Sequence, residues 1–124
     1  MAFVSDNVLD SGLSYLTSNT GTLHICSQAP TNYTEASSTY TLGNKASPTV
    51  GSPVNGDANG RKVVVSAITD GSVTGTGTAS HWALVKDTAT TELLAWGTLS
   101  SSQSVTSGNT FTLTAADITI PDAA

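Results

Sequence analysis

The sequence predicts an all-β fold, an antiparallel β-sandwich (Ig-like or jelly-roll-like) with a short N-terminal helix. Segments of alternating apolar and polar residues recur along the second half of the chain, and turn residues separate them about every eight to twelve residues. Helical spacing of leucines is confined to the first 20 residues. The 17 serines and 21 threonines suit strands and turns better than helix interiors.

The chain has 124 residues, which is enough for one domain. We therefore expect a single β-sandwich domain over residues 1–124, with a helical arm over 1–20 and a long loop or edge segment over 37–60. Prolines at 48 and 53 exclude a central strand around them.

The helical arm begins at Ser5, which is a plausible N-cap. Three leucines then fall on one face, and Gly21 follows the end of the pattern. So short a helix is marginal alone, so its leucines must pack either on the chain's own sheet or on a neighbouring subunit. The stripe consists of Leu9, Leu13 and Leu16.

The first predicted strand covers residues 22–27 and ends before Pro30. Asn32 and Glu35 have the spacing that caps one helical turn. Two Asn-Gly steps within 55–60 predict a turn before the later strands.

Further strands are predicted over 61–69, over 72–85 as one long or two short strands, over 91–99 and over 110–115, and Ile118 and Ile120 continue the pattern. Asp70-Gly71 predicts a hairpin turn, and 86–90 predicts another. Threonines 74, 76 and 78 are expected on one strand face, and threonines 110, 112 and 114 on another.

Composition excludes several classes of partner. Charged residues make up 10% of the chain, and four basic residues within a net charge of −5 cannot neutralise phosphates, which argues against nucleic acid and against an anionic membrane surface. The first residues lack a secretion signal, which predicts synthesis in a cytoplasm. The single Cys26 fits that compartment because it cannot form an internal disulfide.

Titratable residues are too few to predict a catalytic or cofactor site. His24 and Cys26 lie two residues apart on one strand face and could both reach a metal, but two ligands are not a site. A hydrogen-bonded imidazole and a half-buried thiol are the favoured interpretation. A Cys-His nucleophilic pair has no orienting group or oxyanion hole in the sequence. We therefore expect no catalytic, metal or cofactor-binding residue, and no cofactor.

Other motifs are weaker. Residues 57–60 (DANG) resemble the opening of a calcium loop, but Ile68 stands where the closing glutamate should be. Residues 75–77 (GTG) begin a dinucleotide fingerprint whose third glycine is replaced by Ser80. Asn32 heads a glycosylation sequon that means little without secretion.

Aromatic residues offer the remaining candidate site. Trp82 and Trp96 could form a stacking platform for sugars, but aliphatic same-face neighbours favour core positions for both. Tyr33 and Tyr40 lie in the irregular region and are expected to be exposed at an interface.

Six segments spread over nearly the whole chain carry a resemblance to a known family: 7–10 (NVLD), 23–28 (LHICSQ), 40–45 (YTLGNK), 60–63 (GRKV), 81–84 (HWAL) and 101–105 (SSQSV). These segments resemble those of small virion structural proteins of tailed bacteriophages, of the capsid decoration or cement type.

The resemblance implies a non-enzymatic protein that stabilises the head lattice on the capsid surface of the virion. Its implied partners are the phage major capsid protein and copies of itself, a trimer being one such homo-oligomer. No residue is carried over as functional. The alternatives are a tail or neck component, and a module that binds host-surface carbohydrate through Trp82, Trp96, Tyr33 or Tyr40.

Overall fold

The computed structural model describes residues 3–122. The predicted class is confirmed, because strands make up 48% of the described residues, an N-terminal helix precedes them, and the pairings among those residues are antiparallel. The elements are α1 Asp6–Asn19, β1 Thr22–Cys26, a π-helical turn Glu35–Thr39, β2 Thr41–Ala46, β3 Val54–Asn55, β4 Arg61–Val65, β5 Ile68–Val73, β6 Gly77–Lys86, β7 Glu92–Val105, β8 Thr110–Leu113 and β9 Ala116–Ile120.

The chain forms two compact units. The first comprises Met1–Asn19, Thr49–Ala67 and Thr114–Ala124, and the second comprises Thr20–Pro48 and Ile68–Leu113. No helix within residues 3–122 has the length and apolar character needed to cross a membrane.

In the first unit, α1 packs on the three-stranded sheet β3-β4-β9. Ser5 caps the helix as predicted, because its hydroxyl and carbonyl oxygens both accept hydrogen bonds from the amide of Val8. The predicted stripe of Leu9, Leu13 and Leu16 is buried. The leucine stripe therefore packs on a sheet of its own chain, which is one of the two surfaces expected for it.

The Asn-Gly turn prediction is confirmed in the same unit. Residues 56–60 connect β3 to β4, and the amide of Gly56 donates to the carbonyl of Gly60 at 2.9 Å. Gly60 has a φ of 74°, a conformation that side-chain-bearing residues rarely adopt.

The second unit is a six-stranded curled sheet with the order β7-β6-β1-β2-β5-β8. β1 lies inside this sheet, and four of its five residues are buried. Its Leu23 and Ile25 pair with Leu84 and Trp82 of β6, which places these four side chains on one face.

Two aromatic rings on that face lie over glycines. A Cβ atom on Gly97 would lie 2.6 Å from the indole of Trp82. A Cβ atom on Gly71 would overlap the ring of Phe111, and one on Gly43 would lie 3.3 Å from the same ring. The rings occupy the space of a side chain at Gly97 and Gly71, whereas at Gly43 the backbone oxygen of Ser72 is closer still, 2.5 Å from a Cβ atom.

The opposite face at β1 is covered by residues 27–40. Cys26, Ala83 and Val85 form a buried cluster with Ala36 of the π-helical turn. Asn32 caps the start of this segment as predicted, accepting a hydrogen bond from the amide of Glu35 at 2.8 Å. The segment continues further than the single predicted turn, as the amide of Tyr40 donates to the carbonyl of Glu35.

The curl brings the two edge strands of this sheet together. Nε2 of Gln103 on β7 donates a hydrogen bond of 2.8 Å to the carbonyl oxygen of Thr112 on β8. The second unit is therefore a partly closed antiparallel sheet.

Three predictions about individual elements need correction. Asp70-Gly71 is not a turn but lies within β5, because Gly71 serves the close approach of Phe111 rather than a positive φ. In the predicted loop or edge segment 37–60, Thr41–Ala46 is an interior strand that ends before Pro48, whereas β3 is an edge strand as predicted. Thr74 and Thr76 lie in the β5–β6 connection, so only Thr78 of that trio is on a strand, and Thr114 of the second trio follows the end of β8.

Candidate interaction surface

Charged side chains of the second unit, other than Glu35, gather at one end of its sheet. Thr22 pairs with both Ala46 and Val85, so Lys45 and Lys86 lie at this end. Three carboxylates lie at the same end. Glu92 pairs with Lys86, Asp70 lies 3.0 Å from Lys45, and Asp87 accepts a hydrogen bond from Thr22.

At the other end of the sheet, the β5–β6 and β7–β8 connections and the strand ends beside them carry no charge. We define the neutral end as residues 74–80 and 98–110, which contain no Asp, Glu, Lys or Arg. Its exposed side chains are mostly hydroxyls: Thr74, Thr76, Thr78, Thr98, Ser100, Ser101, Ser102, Ser104, Thr106, Ser107 and Thr110. The neutral surface suggested by composition is thus concentrated at one end of one sheet.

Hydrogen bonds between two connections hold the neutral end in a defined conformation. The amide of Ser107 donates to Oγ1 of Thr76 at 3.1 Å, and its hydroxyl donates to the carbonyl of Thr74 at 3.3 Å. Val73 exchanges backbone hydrogen bonds with Gly108 and Asn109 at 3.0 and 2.9 Å. A surface ordered in this way loses little conformational entropy when it binds.

The chemistry of the neutral end favours contact with another protein surface. Hydroxyls donate and accept hydrogen bonds, and they enter an interface without the desolvation penalty of a charge. Identical copies also meet across such a surface without repulsion between like charges.

The edge strand β7, which contributes residues 98–105 to the neutral end, is irregular. Between Ala79 and His81 its register shifts, so that Gln103 and Thr98 face residues only two apart on β6. A second shift leaves Leu94 as an extra residue between the partners of Leu84 and Val85. Such bulges interrupt the flat row of backbone groups through which edge strands aggregate.

The two tryptophans occupy different environments. Trp82 is buried, as predicted, whereas the predicted core position of Trp96 is wrong, since 47% of that residue is exposed. The extra residue Leu94 reverses the alternation, and Trp96 therefore shares a face with Leu93 rather than with Leu94. A bulge leaves no clear mark in the sequence pattern, so periodicity alone could not identify Trp96 as a surface residue.

Trp96 contacts a histidine whose ring is held in place. The rings of His81 and Trp96 meet edge to face with centroids 5.6 Å apart. Oγ of Ser80 lies 2.7 Å from Nδ1 of His81 and donates to the carbonyl of Ser27 at 3.0 Å. No pattern in the sequence indicates that Ser80 and His81 form a pair, since they are simply neighbours in a strand.

His24 and Cys26 lie on the covered face of β1. Nδ1 of His24 is 3.0 Å from Oγ1 of Thr41, and burial lowers the pKa of this imidazole against a smaller opposing effect of Asp87. The thiol of Cys26 is fully buried, donates to the carbonyl of Ala36, and has its pKa raised by burial to about 11. The favoured interpretation of His24 is confirmed, and Cys26 is more deeply buried than predicted.

The weaker motifs have structural positions. Asp57 forms an ion pair with Lys62 at 2.6 Å, and Asn59 accepts from the amide of Asp122 at 3.1 Å. Gly75 and Gly77 lie beneath the side chain of Leu42. Within residues 3–122 there is no group of three or more His, Cys, Asp or Glu side chains placed to hold a metal.

Tyr33 and Tyr40 are half-buried rather than exposed, because both pack on the cluster beneath residues 27–40. The hydroxyl of Tyr33 donates to Asp87 at 2.9 Å, and this hydrogen bond raises its pKa. The hydroxyl of Tyr40 donates to Glu35 at 3.4 Å. Both rings thus fix the covering segment to the sheet.

Comparisons with known protein families, with curated proteins and with solved structures find no match to this chain.

Proposed function

We propose that this protein is a structural component of a bacteriophage virion, a decoration or cement protein that attaches to the head lattice. The observation that carries the proposal is the neutral end, an ordered surface of hydroxyls separated along the sheet from the charged end. The resemblance to virion structural proteins of tailed phages supports it.

The mechanism is multivalent attachment. Each copy contributes modest polar contacts through the neutral end, and copies linked to one another sum these contacts into strong binding. The partners are the major capsid protein and further copies of this chain, and the protein functions at the capsid surface after synthesis in the host cytoplasm.

Quantitative mass spectrometry of purified particles tests the proposal. We expect the protein in many copies per particle, in a fixed ratio to the major capsid protein that the symmetry of the head allows. A few copies per particle would assign it to the tail or neck instead. Its absence from particles made by infected cells that synthesise it would overturn the proposal.

A further inference from the structure

We propose that Trp96, His81 and Thr98 form a binding site for a neutral saccharide; the site shares Thr98 with the neutral end, and its test does not require attachment to a lattice. The site lies on β6 and β7 in the second unit, where Thr98 pairs with His81 and Trp96 pairs with Ala83. These pairings place the three side chains next to one another on one face of two adjacent strands.

The indole supplies the apolar part of the site. Trp96 is 47% exposed, and its pairing partner on β6 is the small, buried Ala83. His81 meets it edge to face and fixes its orientation. An exposed aromatic ring held in one orientation suits the C–H face of a pyranose ring.

The polar part follows from the hydrogen bonds of His81. A serine hydroxyl has one hydrogen, and Ser80 donates it to the carbonyl of Ser27. Nδ1 of His81 is then the donor to Oγ of Ser80, so Nε2 of the neutral ring is an acceptor. Nε2 accepts from a sugar hydroxyl, and the hydroxyl of Thr98 both donates and accepts.

Charge defines the class of saccharide. Residues 81–85 and 93–105, which include the site and its strand neighbours, contain no Asp, Glu, Lys or Arg. A sialylated, sulfated or uronic acid ligand would find no cation to pair with there. Neutral hexoses and N-acetylhexosamines match the ring and hydroxyl chemistry.

The test is titration of the whole protein with neutral hexasaccharides of glucose, galactose and N-acetylglucosamine, followed by tryptophan fluorescence and calorimetry. At least one should bind, with Trp96→Ala weakening the affinity about tenfold or more and His81→Ala weakening it by about threefold to tenfold. Tyr15→Ala is the matched control, since Tyr15 is an aromatic residue of similar exposure, 45%, on α1. It should keep full affinity.

Three results would overturn the proposal. One is no binding by any of these saccharides at about 10 mM. Another is binding that Trp96→Ala leaves unchanged, and a third is preference for a sulfated or sialylated hexasaccharide. If no saccharide binds and Trp96→Ala lowers attachment to particles, the indole belongs to a protein contact, and the proposed virion role stands while the saccharide site does not.

Discussion

Glycine at position 97 is fixed by a single neighbour, the indole of Trp82. A Cβ atom there would lie 2.6 Å from the ring, well inside van der Waals contact. Trp82 cannot move away easily because its strand lies between β1 and β7. The size of one residue on an edge strand is therefore set by an aromatic ring on its neighbour.

We expect Gly97→Ala to lower the free energy of unfolding by about 1–3 kcal/mol, as overpacking does in other cores. Gly75→Ala is the control, because the nearest atom to a Cβ there is 3.6 Å away. Urea unfolding of both variants checks this. Equal stability of the two variants would show that Trp82 does not restrict position 97.

Cys26 should be unreactive in the folded protein. Its thiol is fully buried, and a pKa of about 11 in place of 9.0 lowers the thiolate fraction by about 100-fold at pH 8. Labelling with iodoacetamide should be at least that much slower in buffer than in urea. Rapid stoichiometric labelling of folded protein would contradict the burial of this thiol.

His24 should make stability depend on pH near neutrality. Burial lowers its folded-state pKa below the ordinary 6.5, so the unfolded state binds more protons as the pH falls through this range. Stability contributed by the neutral imidazole is present above pH 6.5 and is lost as the pH falls toward the folded-state pKa.

Urea unfolding between pH 8 and pH 5 measures this effect, in a range above the ordinary pKa values of 3.8 for Asp57 and 4.5 for Glu35. The wild-type protein should lose stability over the range, and His24→Gln should show a flatter dependence. Identical slopes for the two proteins would assign the loss to other groups.

At the scale of elements, adjacent cations on β4 connect the parts of the first unit. Arg61 forms a bidentate pair with Asp10 of α1, with Nε and Nη2 at 2.7 and 3.1 Å from the two carboxylate oxygens. Lys62 bridges Asp57 in the hairpin loop and Asp117 on β9 at 2.6 and 2.9 Å. Helix, hairpin and last strand are thus joined through one strand.

Arg61→Lys should destabilise the protein by about 1 kcal/mol, because lysine keeps the charge but cannot form the bidentate pair. Lys45→Ala is the control. Its partner Asp70 is 69% exposed at the side chain, so the loss should be within about 0.5 kcal/mol. Thermal unfolding of both variants compares them, and an equal or larger effect of Lys45→Ala would contradict the ranking.

Local patterns in the sequence predict these elements well where one rule applies. The leucine spacing and Ser5 predict α1, and Asn55-Gly56 predicts the β3–β4 turn. Prediction fails where a tertiary contact decides. Gly71 belongs to a strand in which the ring of Phe111 on β8 occupies the space of a side chain, and Trp96 shares a face with Leu93 because Leu94 is inserted into the ladder. Neither cause lies within the local sequence window.

At the scale of the molecule, charged side chains and exposed hydroxyls lie at different ends of the six-stranded sheet. The sequence predicts a neutral β surface from its 10% of charged residues, but not that charges and hydroxyls separate along one sheet. That separation depends on strand register, which places residues 74–80 beside 98–110. The neutral end is the part of the second unit best suited to repeated contact with a symmetric partner.

Cosedimentation with particles that lack this protein tests whether the neutral end binds the lattice. Ser102→Glu introduces a charge at the neutral end, and Thr90→Glu introduces the same charge into the exposed loop at the charged end. If the neutral end binds the lattice, Ser102→Glu should reduce attachment about tenfold or more, whereas the Thr90→Glu variant should attach like the unmodified protein. If Ser102→Glu leaves attachment unchanged and Thr90→Glu abolishes it, the neutral end is not the surface that binds the lattice.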